Sequence, residues 1–111
     1  MRSIDYLCRG MSVFSVTVGP VLFGASVPAA GQDFFSGQSI FQSECARCHG
    51  VDGRPVVPGT PDFTRGETLA RPDAVLAQLI KHGGQLMPAY NGIIPDRRIL
   101  DVIAYIRTLQ R

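Results

Sequence analysis

Two cysteines and a histidine stand together in the short motif Cys45-Ala-Arg-Cys-His49. Cysteines separated by two residues can bind zinc, cycle between thiol and disulfide, or attach covalently to haem. A structural zinc site needs four ligands, and the only histidines available to join the cysteines are His49 and His82. A thioredoxin-like redox pair belongs to a βαβ unit, which the helix-and-loop pattern of this chain does not predict. The motif therefore favours haem, for which Cys-x-x-Cys-His is the typical attachment signature.

The spacing of the motif fits this chemistry. Side chains at positions i and i+3 of a helical turn have Cβ atoms about 5–6 Å apart, so Cys45 and Cys48 can form thioether bonds with the two vinyl groups on one haem edge. His49 follows directly and can offer its imidazole to the iron. The motif thus predicts one covalently attached haem c.

The opposite side of the iron has three possible states: bound to Met87, bound to His82, or vacant. Met87 stands in the glycine-flanked loop "GQLMPAY", away from any apolar helical stripe. His82 falls in the last turn of a predicted helix, where a cation is normally solvent-exposed and compensates the helix dipole. A thioether is an established axial ligand of haem iron, and we expect His49 and Met87 to be the axial pair.

Three predicted helices must position these residues. The first runs from about Phe35 to Arg47 and leads into the motif. The second begins at Pro72-Asp73 and stops at Gly83, and the third repeats the Pro-Asp opening at residues 95–96. Apolar residues recur with helical period in the last two helices: Val75, Leu76, Leu79 and Ile80, then Ile99, Val102, Ile103, Ile106 and Leu109. The remaining segments are long loops rich in Gly and Pro, whose entropy cost is offset when they wrap a large cofactor. We predict an all-α domain.

The N-terminal segment reads as a secretory signal. It has Arg2 and Arg9, then an uncharged, mostly apolar run, and it ends in the small residues of "VPAAGQ". We expect residues 1–30 to be removed by cleavage near Ala29 or Ala30, which leaves a domain of residues 31–111. The alternative is an uncleaved anchor, because the uncharged run over residues 10–32 is long enough to span a bilayer.

The charge and cysteine content of residues 31–111 narrow the function. Nine basic and eight acidic side chains leave this part nearly neutral, which excludes the basic surface of a nucleic-acid binder. Its 81 residues form a small core that needs an additional staple. A disulfide between Cys45 and Cys48 would close a tiny loop and constrain little of the unfolded chain. We therefore expect the haem to be that staple.

The chain resembles the class I monohaem cytochromes c. The stretch "GQSIFQSECARCHG" resembles their N-terminal helix, "LDVIAYIRTL" their C-terminal helix and "LMPAYNG" their axial-methionine loop. The resemblance implies that the two terminal helices cross where Gly37 and Phe41 meet Val102 and Tyr105.

The resemblance also implies a haem pocket formed by Pro61 and Phe63, with the proline carbonyl accepting a hydrogen bond from the proximal histidine. Pro58 is the second choice for that carbonyl. Cytochrome c-like folds of this kind wrap short helices and long loops around one haem.

The resemblance further implies a periplasmic electron carrier that does no substrate chemistry. Its partners would be a donor dehydrogenase and an acceptor oxidase or cytochrome, with membrane attachment only if the signal segment is retained. The alternatives are a dedicated haem subunit of a larger oxidoreductase, or a haem enzyme or gas sensor with a labile sixth ligand. Lys81 is the only lysine, so we expect no strongly basic docking face, and we expect Arg97 and Arg98 to lie on a solvated helix surface.

Overall fold

The computed structural model describes residues 31–111, together with Gly19 and Gly24. Apart from those two glycines, the predicted signal segment lies outside the described residues. The helical elements are α1 (Phe34–Ile40), a π-helical turn (Phe41–Cys45), α2 (Ala46–His49), a 3₁₀ turn (Phe63–Arg65), α3 (Asp73–His82) and α4 (Asp96–Arg107). No strand occurs in residues 31–111, which confirms the prediction of an all-α domain. None of the helices described is long and apolar enough to cross a membrane.

The first predicted helix is longer than the sequence pattern indicated. It begins at Phe34, where the Asp33 carboxylate caps it by accepting a hydrogen bond from the Ser36 amide at 3.1 Å. It continues through the π-helical turn to His49, because the turn changes the winding without ending the helix. Gly50 ends it with φ of 79°, and a Cβ at this position would overlap the backbone carbonyl of Arg54.

Helix α3 has the predicted bounds within one residue. Pro72 lies just before the helix instead of at its first position, and Gly83 follows its last residue with φ of 68°. Leu76 and Ile80 are buried in the core, whereas Val75 and Leu79 are 43% and 39% exposed. Two of the four side chains in the apolar stripe are therefore buried, and the other two remain exposed.

Helices α1 and α4 cross at the predicted place. A Cβ at Gly37 would overlap the backbone carbonyl of Asp101, so glycine allows the two backbones to approach closely. Phe41 is completely buried, and its ring centroid lies 5.3 Å from that of Tyr105. Val102 on the same face of α4 is 1% exposed. These contacts confirm the crossing.

Arg98 is 34% exposed, so the expectation of a solvated helix surface holds only in part, because hydrogen bonds tie its guanidinium to neighbouring residues. Its guanidinium donates hydrogen bonds to the Ser36 hydroxyl at 2.8 Å and to the Asp101 carboxylate at 3.1 Å. Asp101 is only 3% exposed, and its other oxygen accepts a hydrogen bond from the Asp33 amide at 2.8 Å. Because a buried carboxylate needs such partners, Arg98 joins α4 to the beginning of α1. Arg97 is exposed, as expected.

A second arginine, Arg107, joins α4 to the loop that precedes α3. It donates hydrogen bonds to the carbonyls of Leu69 at 2.6 Å and Arg71 at 2.9 Å. The same guanidinium donates to the Asp73 carboxylate at 2.6 Å and 3.0 Å. The planar, multi-donor group suits this task in a way that lysine would not. Arg107 thereby holds Leu69, a residue that lines the main apolar cavity, in place.

Candidate cofactor site

An apolar cavity of about 240 Å³ lies between α2, α3, α4 and the loops that contain residues 57–69 and 83–90. Its apolar lining includes Leu69, Leu76, Ile80, Ile103 and Ile106. All of the predicted site residues also line it: Cys45, Cys48, His49, Pro61, Phe63 and Met87. The fold therefore brings together residues that are up to 42 positions apart in the sequence.

Cys45 does not have the environment of a reactive thiol. Both thiols are free, Cys45 being buried and Cys48 partly buried. Burial, followed by the nearby charge of Glu44, raises the pKa of Cys45 to about 12. Reactive cysteines need a thiolate near neutral pH, so this environment argues against thiol–disulfide exchange.

The structure also offers no support for a zinc site. Across residues 31–111, no group of three or more His, Cys, Asp or Glu side chains is arranged to hold a metal ion. Four such ligands are what a structural zinc site requires. His82, the one further histidine in this region, is exposed and does not line the cavity. Its Nε2 lies 2.9 Å from the Gln78 side-chain oxygen.

His49 has the environment of an axial ligand. It is 8% exposed, and its ring stacks on Phe63 with centroids 4.6 Å apart and planes 12° apart. Burial lowers the pKa of His49, so the ring stays neutral, which is the form that binds a metal. The Pro61 carbonyl acts in the opposite direction and raises this pKa. Nδ1 itself is buried, and no acceptor lies at a normal hydrogen-bonding distance and angle from it.

The apolar lining and the stacked imidazole of His49 test whether haem fits this site. An imidazole fixed by Phe63 at the wall of an apolar cavity, one residue after two free thiols, suits a flat apolar cofactor with a metal centre. The residues present therefore fit a covalently attached haem.

Met87 is placed at the cavity by a loop bonded to the carboxyl end of α3. The Gly84 amide donates to the Met87 carbonyl at 2.9 Å, and the Tyr90 amide donates to the Ile80 carbonyl at 3.1 Å. Gly83 has a positive φ, and a Cβ there would lie 2.5 Å from the Met87 carbonyl oxygen. Of the glycines near the methionine, Gly83 is thus required by the tight backbone of this loop.

Tyr90 is a cavity residue that the sequence reasoning missed. It is 7% exposed, and its hydroxyl donates a hydrogen bond to the Glu44 carbonyl at 3.0 Å. Burial raises the pKa of Tyr90, so the hydroxyl remains a donor at neutral pH. The signal that could have found it is its position as the only aromatic residue between Phe63 and Tyr105.

Known proteins are similar to this chain in sequence and in fold. A family model described as cytochrome c oxidase, cbb3-type, subunit III matches residues 32–106. Cytochrome c6 of Thermostichus vulcanus is 34% identical, and the alignment covers 88% of each chain. The chain therefore belongs to the class I c-type cytochromes.

Solved structures agree on the fold. Cytochrome c6 from the diatom Phaeodactylum tricornutum matches with a TM-score of 0.58 and 26% identity, over 68% of this chain and 92% of that one. A c-type cytochrome named KustC0563 matches with a TM-score of 0.61 and 22% identity, over 68% and 98% of the two chains. With the family established, the chain is an electron-transfer protein that carries one covalently bound haem c and exchanges electrons with redox partner proteins.

Proposed function

We propose that this chain is an exported electron carrier of the bacterial periplasm, with haem c attached to Cys45 and Cys48 and its iron bound by His49 and Met87. The observation that supports this assignment is the shared cavity, into whose lining α2 and the loop after α3 bring one candidate axial ligand each. When bound, the haem supplies reversible one-electron chemistry at its iron.

The protein residues have distinct roles in this proposal. Met87 and His49 would both bind the iron, which would leave no site for a substrate or gas, and a thioether ligand would raise the reduction potential. With haem bound, the Pro61 carbonyl, which already raises the pKa of His49, would accept the Nδ1 hydrogen, fix the ring and make it a stronger donor. Phe63 holds the same ring by stacking.

The charges of residues 31–111 do not support partner docking through a strongly basic face. Lys81 forms an ion pair with Asp96 at 3.0 Å and is 22% exposed. The cavity rim instead includes Leu86, an apolar side chain that is 69% exposed. We propose that a donor dehydrogenase and an acceptor oxidase or cytochrome meet the haem edge at this weakly charged, apolar rim.

Replacing Met87 by Ala tests the axial assignment. The unaltered ferrous protein should bind carbon monoxide slowly or hardly at all, and the ferric protein should show the weak far-red band of a sulfur–iron bond. Met87→Ala should bind carbon monoxide rapidly, lose the band and have a lower reduction potential, because the thioether favours Fe(II).

His82→Ala is the matched control, since this histidine is exposed and lies outside the cavity lining. It should leave all three observations unchanged. A change in the spectrum of His82→Ala alone would show bis-histidine ligation instead. Rapid carbon monoxide binding by the unaltered protein would favour a gas sensor or haem enzyme over a carrier.

A second candidate function is a dedicated haem subunit of a larger oxidoreductase. The observation that favours it is the family model, whose description names a subunit of an oxidase complex. Purification of the native protein from its host distinguishes the two candidates. A free carrier should elute as a small monohaem protein, whereas a subunit should remain with its complex in mild detergent.

A further inference from the structure

We propose that Tyr90 is a positioning residue that controls how readily Met87 leaves the iron. It does so by joining the methionine loop, defined as residues 83–91, to the helix that contains Cys45. This inference rests on the proposed ligation by Met87 and adds to it a residue that is not one of the proposed ligands.

The hydrogen bonds of the methionine loop show why Tyr90 is distinctive. The amides of Tyr90 and Asn91 donate to carbonyls of α3, at 3.1 Å and 3.0 Å, and the Gly84 amide donates within the loop to Met87. These bonds hold the loop to α3 alone. In the part of the chain that the structure describes, the Tyr90 hydroxyl makes the one hydrogen bond from this loop to the helix of the cysteines.

The Tyr90 hydrogen bond can restrain the methionine loop because of where its acceptor, the Glu44 carbonyl, lies. Glu44 immediately precedes Cys45 and lies 46 residues from Tyr90 in the sequence. In the proposed ligation, His49 and the two thioethers fix the haem to the helix that contains Glu44, whereas Met87 reaches the iron from the opposite loop. We infer that movement of this loop relative to that helix carries Met87 away from the iron. The Tyr90 bond is part-buried at the edge of the core, and it opposes that movement.

Tyr90→Phe removes the hydroxyl and keeps the buried ring, so the core packing is retained. The probe is imidazole, which binds ferric haem only after the methionine has left, so that the rate at saturating imidazole reports the departure of Met87. We expect this rate to rise about fivefold, which corresponds to the loss of about 1 kcal/mol, the typical net contribution of one hydrogen bond.

Tyr105→Phe is the matched control. This tyrosine is 6% exposed, and its hydroxyl accepts a hydrogen bond from Gln42 at 3.4 Å near the helix crossing. It does not line the cavity. The control should reduce the denaturation midpoint without changing the imidazole rate, which separates a general loss of stability from an effect on the methionine.

Two results would overturn the proposal. Equal imidazole rates in the unaltered protein, Tyr90→Phe and Tyr105→Phe would show that the Tyr90 bond is structural only, and ligation by Met87 would stand. Immediate imidazole binding by the unaltered protein, together with absence of the far-red band, would overturn both this inference and the axial assignment.

Discussion

The missing side chain of Gly37 determines how closely the two terminal helices approach. A Cβ at this position would overlap the Asp101 carbonyl, and the adjacent Val102 amide would lie 3.0 Å from it. Both contacts are with backbone, which cannot rotate away as a side chain could. Asp101 is also bonded to Arg98 and to the Asp33 amide, so a shift of α4 would disturb a buried ionic group.

Gly37→Ala tests this crossing, because helix propensity and overpacking predict changes in stability of opposite sign. Helix propensity alone would make alanine more stable by about 1 kcal/mol. Overpacking against the Asp101 backbone should reverse that sign and destabilise the protein by about 1–3 kcal/mol. Urea denaturation of the haem-loaded protein measures it, with Ser39→Ala on the exposed face of α1 as the control. A higher midpoint for Gly37→Ala would show that the helices do not cross here.

At the scale of elements, the 3₁₀ turn Phe63–Arg65 positions the ring that stacks on His49. The turn is capped by Asp62, whose carboxylate accepts hydrogen bonds from the Thr64 hydroxyl at 2.6 Å and from the Thr64 amide at 2.9 Å. The hydroxyl bond is the largest of the effects that lower the pKa of Asp62 below its ordinary value. A short loop element thus depends on one ionised side chain to hold a cavity residue.

The lowered pKa of Asp62 predicts a pH-dependent contribution to stability. The ionised carboxylate stabilises the fold fully above its unfolded pKa of about 4, and this stabilisation is lost as the pH falls through the lower folded pKa. Asp62→Asn should therefore be less stable than the unaltered protein near neutral pH, and the difference should shrink in acid. Urea midpoints measured across the acid range check this.

Thr64→Val provides the comparison, because it removes the hydroxyl donor and leaves the carboxylate in place. Its loss of stability should also shrink in acid. A difference that stays constant with pH in both variants would mean that the charge of Asp62 does not contribute.

At the scale of the whole molecule, we propose that the chain has two parts with separate fates. Residues 31–111 contain every described helix and the complete cavity lining. Residues 1–30 have the composition of a secretory signal and, apart from Gly19 and Gly24, lie outside the residues that the structure describes. Attachment of haem would then take place on the exported part, which contains both haem cysteines, while Cys8 leaves with the signal.

Export in a bacterial host tests this division. The mature protein released from the periplasm should begin near Ala30 or Gly31 by N-terminal sequencing, and its mass should include one haem. The cytoplasmic precursor in cells without haem attachment machinery is the control. A membrane-bound product that still contains Met1 would identify an uncleaved anchor.

The sequence alone determined the features that depend on neighbours along the chain. The Cys-x-x-Cys-His motif, the Pro-Asp openings and the Gly83 stop each act within one helical turn, so their outcome is local. Met87 could be selected from its glycine-flanked loop, and the crossing at Gly37 followed from the resemblance of the terminal helices. The π-helical turn and the 3₁₀ turn were not predicted, because segments of five and three residues are too short to show a periodic pattern in the sequence.

Only the tertiary structure decided which distant polar groups meet. Arg98 bonds to Ser36 and Arg107 to Leu69, across 62 and 38 residues. Tyr90 reaches Glu44 across 46 residues. An arginine on a helix or a tyrosine in a loop looks the same in the sequence whether its partner is water or a buried carbonyl, because the partner is set by how the helices pack and not by the spacing along the chain.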